Sequence, residues 1–218
     1  MERFFILDKY NTWYNWRLIL TAKDVTPPEP KTNYVDIDGM SGSLDLSESL
    51  TGEVTYKDRT VTATFWTDTG NRINRERLLR DIRIALHGRK VKIIEPDDPN
   101  HYFYGRVKIK SSKNLIPYTE FSIEVTCEPW RYALNDSVRR VDVNSENITS
   151  VIINNDGAKT LCPTITITGD VDIIYNDVKT SLSDGTYKIS DIRLRHGVNV
   201  IGVSGNGSAT FTYKEADL

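Results

Sequence analysis

Two stretches of strict alternation constrain this chain more than anything else in it. From Thr119 to Glu128, the residues Phe121, Ile123, Val125 and Cys127 fall on one side and Ser122, Glu124 and Thr126 on the other. Between Thr51 and Trp66, Val54 and Tyr56 are followed by Val61, Ala63 and Phe65, which face one way against Thr60, Thr62 and Thr64. A repeat of two is what a strand needs when one face packs on a core and the other meets water. The wider composition agrees, since Val, Ile and Thr number 59 against 22 for Ala and Leu together. β-Branched side chains suit pleated, half-buried surfaces, so the chain is expected to be mainly β.

At 218 residues there is room for one large domain or two small ones, with a sizeable core. The 28 basic and 30 acidic groups leave a formal charge of −2, which argues against a strongly basic binder of nucleic acid or acidic lipid. Cys127 and Cys162 are too few for a disulfide scaffold and show no CxxC spacing, so both are expected as free thiols in a reducing compartment. The opening residues hold only the short apolar run Phe4 to Leu7, too short for a secretory leader or a membrane span.

Along the chain, Tyr14 to Ala22 reads mainly as a strand, with Trp16, Leu18 and Leu20 on one face. The prolines Pro27, Pro28 and Pro30 then impose an extended surface connection. Asn33 to Asp45 is expected as a short strand running into a glycine-punctuated turn, and Thr51 to Trp66 as a long strand or a hairpin broken at Lys57 to Arg59. One helix is predicted from about Asn74 to His87, capped by Asn74, with Glu76 near its positive end. Its apolar residues Leu78, Leu79, Ile82, Ala85 and Leu86 share helical spacing, and Gly88 can close it. Lys90 to Glu95 and His101 to Lys110 then flank a turn over Pro96 to Asn100, which predicts a hairpin.

Near residue 133 the composition shifts. The first 132 residues hold 20 basic and 19 acidic groups and all the tryptophans, whereas 133–218 hold 8 basic and 11 acidic. Two domains are therefore expected, 1–132 and 133–218. The second is punctuated for tight hairpins at Asn154 to Gly157, Asn176-Asp177, Asp184-Gly185 and Gly205 to Gly207. Short strands at that spacing predict a small sandwich or jelly roll.

Residues capable of chemistry are few. His87, His101 and His196 lie in no recognisable motif, and surface or capping roles suit all three. Asp97, Asp98, Asn100 and His101 could ligate a cation, but the same residue types stabilise a turn between prolines. Arg75, Arg77, Arg80 and Arg83 invite a phosphate-binding reading, against which stands a solvated helix face with Glu76 and Asp81 interleaved. No catalytic, cofactor-binding or metal site is expected, and the chain is read as a non-enzyme.

The order of blocks resembles the phage distal tail proteins, the Dit family of siphovirus and prophage tail tips. The stretches that carry it are Tyr34 to Asp45, Tyr56 to Arg59 leading into an alternating strand, the helix ending Leu86-His-Gly88, the run Val91 to Val107, and the strand closing on Cys127 to Tyr132. They cover about the first 130 residues in family order. A looser likeness to the family's small C-terminal β domain runs through Asn154 to Gly157, Pro163 to Gly169 and Phe211 to Glu215. The opening residues lack the family's usual glycine-containing first hairpin, and the short second domain leaves little room for the sugar-binding loops of larger relatives.

The resemblance implies two β-sandwich-like domains, the first tail-tube-like with one packed α-helix. It also implies a baseplate hub in which six copies form a ring, contacting the tail tube protein, the tape-measure protein and a tail-associated fibre or lysin protein. The second domains would project outward, with a host-surface glycan as one conceivable ligand. DNA would pass through the channel without specific binding, and the protein would be made in the bacterial host cytoplasm and reside at the virion tail tip, with no membrane contact. Two rivals stand beside this reading: a carbohydrate-binding β-sandwich module, and a glycan hydrolase built on such a sandwich, which would need paired carboxylates across a cleft.

Overall fold

The structure is a computed structural model that describes residues 4–115 and 117–218. Met1 to Arg3, where the leader reading begins, lie outside them. The chain divides into two compact units, one running to Arg131 and the other spanning Tyr132–Asp217.

The first unit opens with β1 (Ile6–Leu7), β2 (Tyr10–Asn11), helix α1 (Thr12–Trp16) and β3 (Ile19–Val25). A small ribbon of β4 (Tyr34–Asp36) and β5 (Ser43–Asp45) follows, then β6 (Arg59–Thr67), helix α2 (Arg72–Leu86), β7 (Lys90–Glu95), β8 (Asp98–Asn114) and β9 (Thr119–Cys127). Seven of these strands form an antiparallel sheet in the order β2-β1-β7-β8-β9-β6-β3. The two alternating stretches lie side by side in it, with Arg59 opposite Cys127 and Thr67 opposite Thr119. Their odd-numbered residues Val61, Phe65, Phe121, Ile123 and Val125 are buried in one apolar cluster, which Leu79, Ile82 and Leu86 of α2 join. The unit is mainly β with one long helix on the core, as the patterning requires.

Three local expectations are corrected. Tyr14 to Ala22 is not one strand. Asn11 accepts from the backbone N–H groups of Trp13 and Tyr14, both at 3.0 Å, and so starts the single turn α1. Arg17 closes that turn at φ +52, and the strand begins only at Ile19. The long helix starts earlier than Asn74, because Gly70 turns the chain at φ +62 and leaves Asn71 as the cap, its side chain accepting from Asn74 N at 3.0 Å. Glu76 consequently lies beyond the first turn. Finally, Thr51 to Trp66 is neither one strand nor a hairpin: Tyr56 makes an isolated bridge to Pro30, and β6 begins at Arg59. The first hairpin does exist without glycine, since Asp8 takes φ +55 at the turn between β1 and β2.

The second unit is built from β11 (Ser137–Asn155), β12 (Thr164–Tyr175), β13 (Val178–Leu182), β14 (Gly185–Lys188) and β15 (Gly197–Tyr213), with β10 (Arg131–Ala133) before them and β16 (Ala216–Asp217) after. The sheet order is β11-β15-β12, and β12 pairs with β13 along one half and β14 along the other. Asn176 and Asp177 take φ +49 and +63 in a two-residue turn, as their sequence predicts. Gly205 to Gly207 is not a hairpin turn, however; β15 runs straight through it. There Gly207 lies between Val143 and Gly169, and Gly205 between Ser145 and Val171, while β11 breaks register between Ser145 and Thr149. A side chain at Gly207 would meet the Thr168 carbonyl at 2.0 Å. The glycines therefore let three long strands bend together. Ile165, Ile167 and Phe211 on one side of the bend share a single buried cluster with Ile173, Ile201 and Val203 on the other. A bent sheet thus closes its own apolar face, where separate short strands were expected.

Candidate functional site

The turn read as a possible cation site is occupied by the protein's own charges. β7 and β8 are joined through Pro96 and Asp97, which sets Glu95 opposite Asp98. Lys23 pairs with both Glu95 and Asp97, the latter at 2.7 Å. Burial pulls the Lys23 ammonium down, but its hydrogen bonds to Asp97 and Glu95 outweigh this and hold it above its ordinary value. Asp98 instead takes His101 Nδ1 at 2.8 Å and Arg131 at 2.9 Å. The two aspartates thus serve separate cations, and Asn100 is exposed. Among the described residues no cluster of His, Cys, Asp and Glu is grouped to hold a metal ion.

The other two histidines are engaged by backbone instead. His87 accepts from Ile109 N at 3.1 Å, and His196 donates to the Gly157 carbonyl at 3.1 Å. Cys127 is buried and Cys162 half-buried, and both are free. Burial pushes the Cys127 thiol up to about 12.

The arginine run divides in two. Arg75 is buried, donating to Thr119 Oγ1 at 3.0 Å and to the Gly70 carbonyl at 2.9 Å, so it pins the start of α2 to the sheet. Arg72, Arg77, Arg80 and Arg83 are exposed. Large aromatics that could stack on a sugar are mostly used internally: Trp16 lies on Tyr10, Trp66 on Tyr118 and Trp130 on Tyr56, at ring separations of 5.0 to 5.5 Å. In the second unit a cleft of about 460 Å³ is lined by Asn144, Glu146, Asp170, Asp172, Ser181 and Asn206 among others, none of them aromatic.

The conspicuous surface is the β4–β5 ribbon. It is tethered at its root, where Lys31 N donates to the Thr55 carbonyl at 2.7 Å and Lys57 N to the Glu29 carbonyl at 2.8 Å. Beyond the root every residue from Lys31 to Asp45 is exposed. Yet the ribbon is not polar: Tyr34, Val35, Ile37, Met40 and Leu44 are 39 to 60% exposed, and Leu50 beyond it is 98% exposed. Val35 lies opposite Leu44. A two-stranded ribbon with nothing packed on either face is marginal in water. Here local polar bonds hold its shape, Ser43 Oγ donating to Asp36 at 2.6 Å and Ser47 N to Asp45 at 2.9 Å. Sequence reading marked this segment as strand and turn but missed it as a surface. The signal was present, since between Lys31 and Lys57 there are five carboxylates and neither Lys nor Arg, set among apolar residues that alternate for no buried face.

Comparison with known proteins gives a likeness of fold. No protein-family profile and no curated protein sequence matches this chain. Among solved structures, the Dit protein (gp 19.1) of SPP1 superimposes with a TM-score of 0.74, covering 99% of each chain at 15% sequence identity. That protein is described as a paradigm of the hub adsorption apparatus in phages that infect Gram-positive bacteria. The chain has the Dit fold. The 99% coverage extends over both units of the chain.

Proposed function

We propose that this chain is a structural distal tail protein, a baseplate hub of a phage tail tip. The observation that carries this reading is the likeness of the whole chain, both units included, to the SPP1 hub protein. In this reading six copies close a ring through the first unit, at the end of the tail tube. The ring meets the tail tube and tape-measure proteins on one side and a tail-associated fibre or lysin protein on the other, while the second units face outward toward host-recognition parts. DNA passes through the channel without being held, consistent with nearly balanced charge in the first 132 residues. The role is assembly, not catalysis. An exposed ribbon with apolar side chains on both faces supports it, because such a surface needs a partner to cover it.

Light scattering on the purified chain across a concentration series tests the reading. The expected result is a species of six times the 24.9 kDa chain mass, ring-shaped in negative-stain images. A chain that stays monomeric while binding glycans on an array would favour the sugar-binding module instead.

A further inference from the structure

A second exposed surface on the same unit has a character that matches the ribbon. Helix α2 buries Arg75, Leu79, Ile82 and Leu86. On its opposite side Ile73, Arg77, Arg80 and Ile84 recur at spacings of four, three and four, which places them in one row along the helix. The two isoleucines are unusual there, being 62 and 66% exposed at the crest of a solvent-facing helix. Arg72 and Arg83 flank the row. Its acids are partly spent within the chain, Glu76 accepting from Asn114 Nδ2 at 2.7 Å and Asp81 lying 4.0 Å from Arg80. The result is a basic centre, Arg77 and Arg80, set between two exposed isoleucines.

The ribbon has the reciprocal character. Tyr34, Val35, Ile37, Met40, Leu44, Leu50 and Val54 are exposed, and the only charges between Lys31 and Lys57 are Asp36, Asp38, Asp45, Glu48 and Glu53. We propose that the acidic, apolar ribbon of one copy docks on the outer face of α2 of the next copy, with Ile73 and Ile84 against its apolar residues and Arg77 and Arg80 against its carboxylates. The proposal rests on the ring reading and names the two surfaces that close it. Because ribbon and helix are different patches, the contact is head-to-tail, the type that generates rings rather than isologous dimers.

A second basic surface competes for the ribbon: Lys90, Lys92, Arg106 and Lys108, exposed on the outer face of β7 and β8. That surface offers charge without exposed large apolar side chains, whereas α2 offers both. Complementary charge steers and fixes register, and burying Ile73 and Ile84 against the ribbon's apolar residues adds to the free energy of the contact.

Charge reversal separates these possibilities. The helix variant Arg77→Glu/Arg80→Glu and the ribbon variant Asp38→Lys/Glu48→Lys alter only exposed side chains, and circular dichroism checks that each folds. Each alone is expected to lose the ring, with at least a tenfold rise in the concentration needed to assemble. An equimolar mixture is expected to recover it, because alternating copies then present one matched contact and one doubly reversed, equally matched contact. The control Lys90→Glu/Lys92→Glu is expected to assemble as the wild type does. Rings that persist in both reversed variants, or that are lost in the control alone, overturn the contact and leave the ring reading standing. A wild-type chain that remains monomeric at every concentration overturns both.

Discussion

Phe5 and Phe65 meet edge to face, their ring centroids 6.2 Å apart and their planes at 80°. Phe5 directly precedes β1, and Phe65 sits on β6, so β7, β8 and β9 lie between them in the sheet order. Rings so far apart along a flat sheet could not touch. The sheet of the first unit therefore curls until its flanks close over a common core, and this pair is where the closure is made.

Truncating either ring should open that closure. Phe65→Ala is expected to destabilise the first unit by about 3 to 5 kcal/mol, the usual cost of deleting a buried phenyl ring. Phe5→Ala should cost a similar amount, and the double variant should fall short of the sum by about 0.5 to 1.5 kcal/mol, the coupling of an edge-to-face pair. Urea denaturation of the four proteins measures it; strict additivity would mean that the pair makes no closure.

The arginines of α2 should separate by burial. Arg75→Ala removes two charged hydrogen bonds from a buried site and is expected to cost about 2 to 3 kcal/mol. Arg77→Ala removes an exposed side chain and should stay within about 0.5 kcal/mol. Thermal melts of the two variants test the division.

How much of this was legible beforehand follows from which forces act locally. Strands whose inner residues are all apolar, such as Val61 to Phe65 and Phe121 to Cys127, announce themselves because alternation and burial coincide. The Asn176-Asp177 turn was legible for the same reason, the residue types demanding the backbone they adopt. Gly205 to Gly207 misled because glycine serves both a turn and a close approach of neighbouring strands, and only the position of Thr168 and Asp170 tells them apart. The ribbon was illegible as a surface because its apolar residues look like any half-buried strand until the sheet they might have joined is seen to exclude them.

The glycines of the bend provide a test of that account. Gly207→Ala would drive a methyl group to 2.0 Å from the Thr168 carbonyl, a backbone atom held by the sheet. Gly197 has φ +88 but open space around it. Its change to alanine should cost only about 1 to 2 kcal/mol of backbone strain, whereas Gly207→Ala should cost more than this or prevent the second unit from folding. Denaturation of both variants, followed by tyrosine fluorescence, ranks them.

Cys127 should make the first unit sensitive to alkali. Its thiol titrates at about 12 in the fold against 9.0 when unperturbed, because burial opposes the thiolate. Below 9.0 the group is neutral in both states and the full stability is present. Above it the unfolded chain loses a proton that the folded chain keeps, so stability falls as pH rises toward 12. Cys127→Ala should flatten the pH dependence over this window relative to wild type. At pH 8 the same burial predicts that iodoacetamide labels half-buried Cys162 well before Cys127, with both labelled once urea is added; mass spectrometry reads the order.

Proteolysis offers a view of the ribbon that does not depend on any substitution. Trypsin has no site between Lys31 and Lys57, whereas a glutamate-specific protease has Glu48 and Glu53 there, Glu48 being exposed. Cleavage of a folded chain requires an accessible, locally deformable segment, and the backbone from Lys31 to Asp45 touches little of its own unit. In dilute, unassembled protein the first glutamate-specific cut should therefore fall at Glu48, ahead of Glu120 or Glu124 on β9. In assembled protein the same cut should slow by at least tenfold, because the neighbouring copy covers the ribbon. Equal rates in the two states would show that the ribbon stays bare in the assembly, and its exposed apolar side chains would then belong to a different partner.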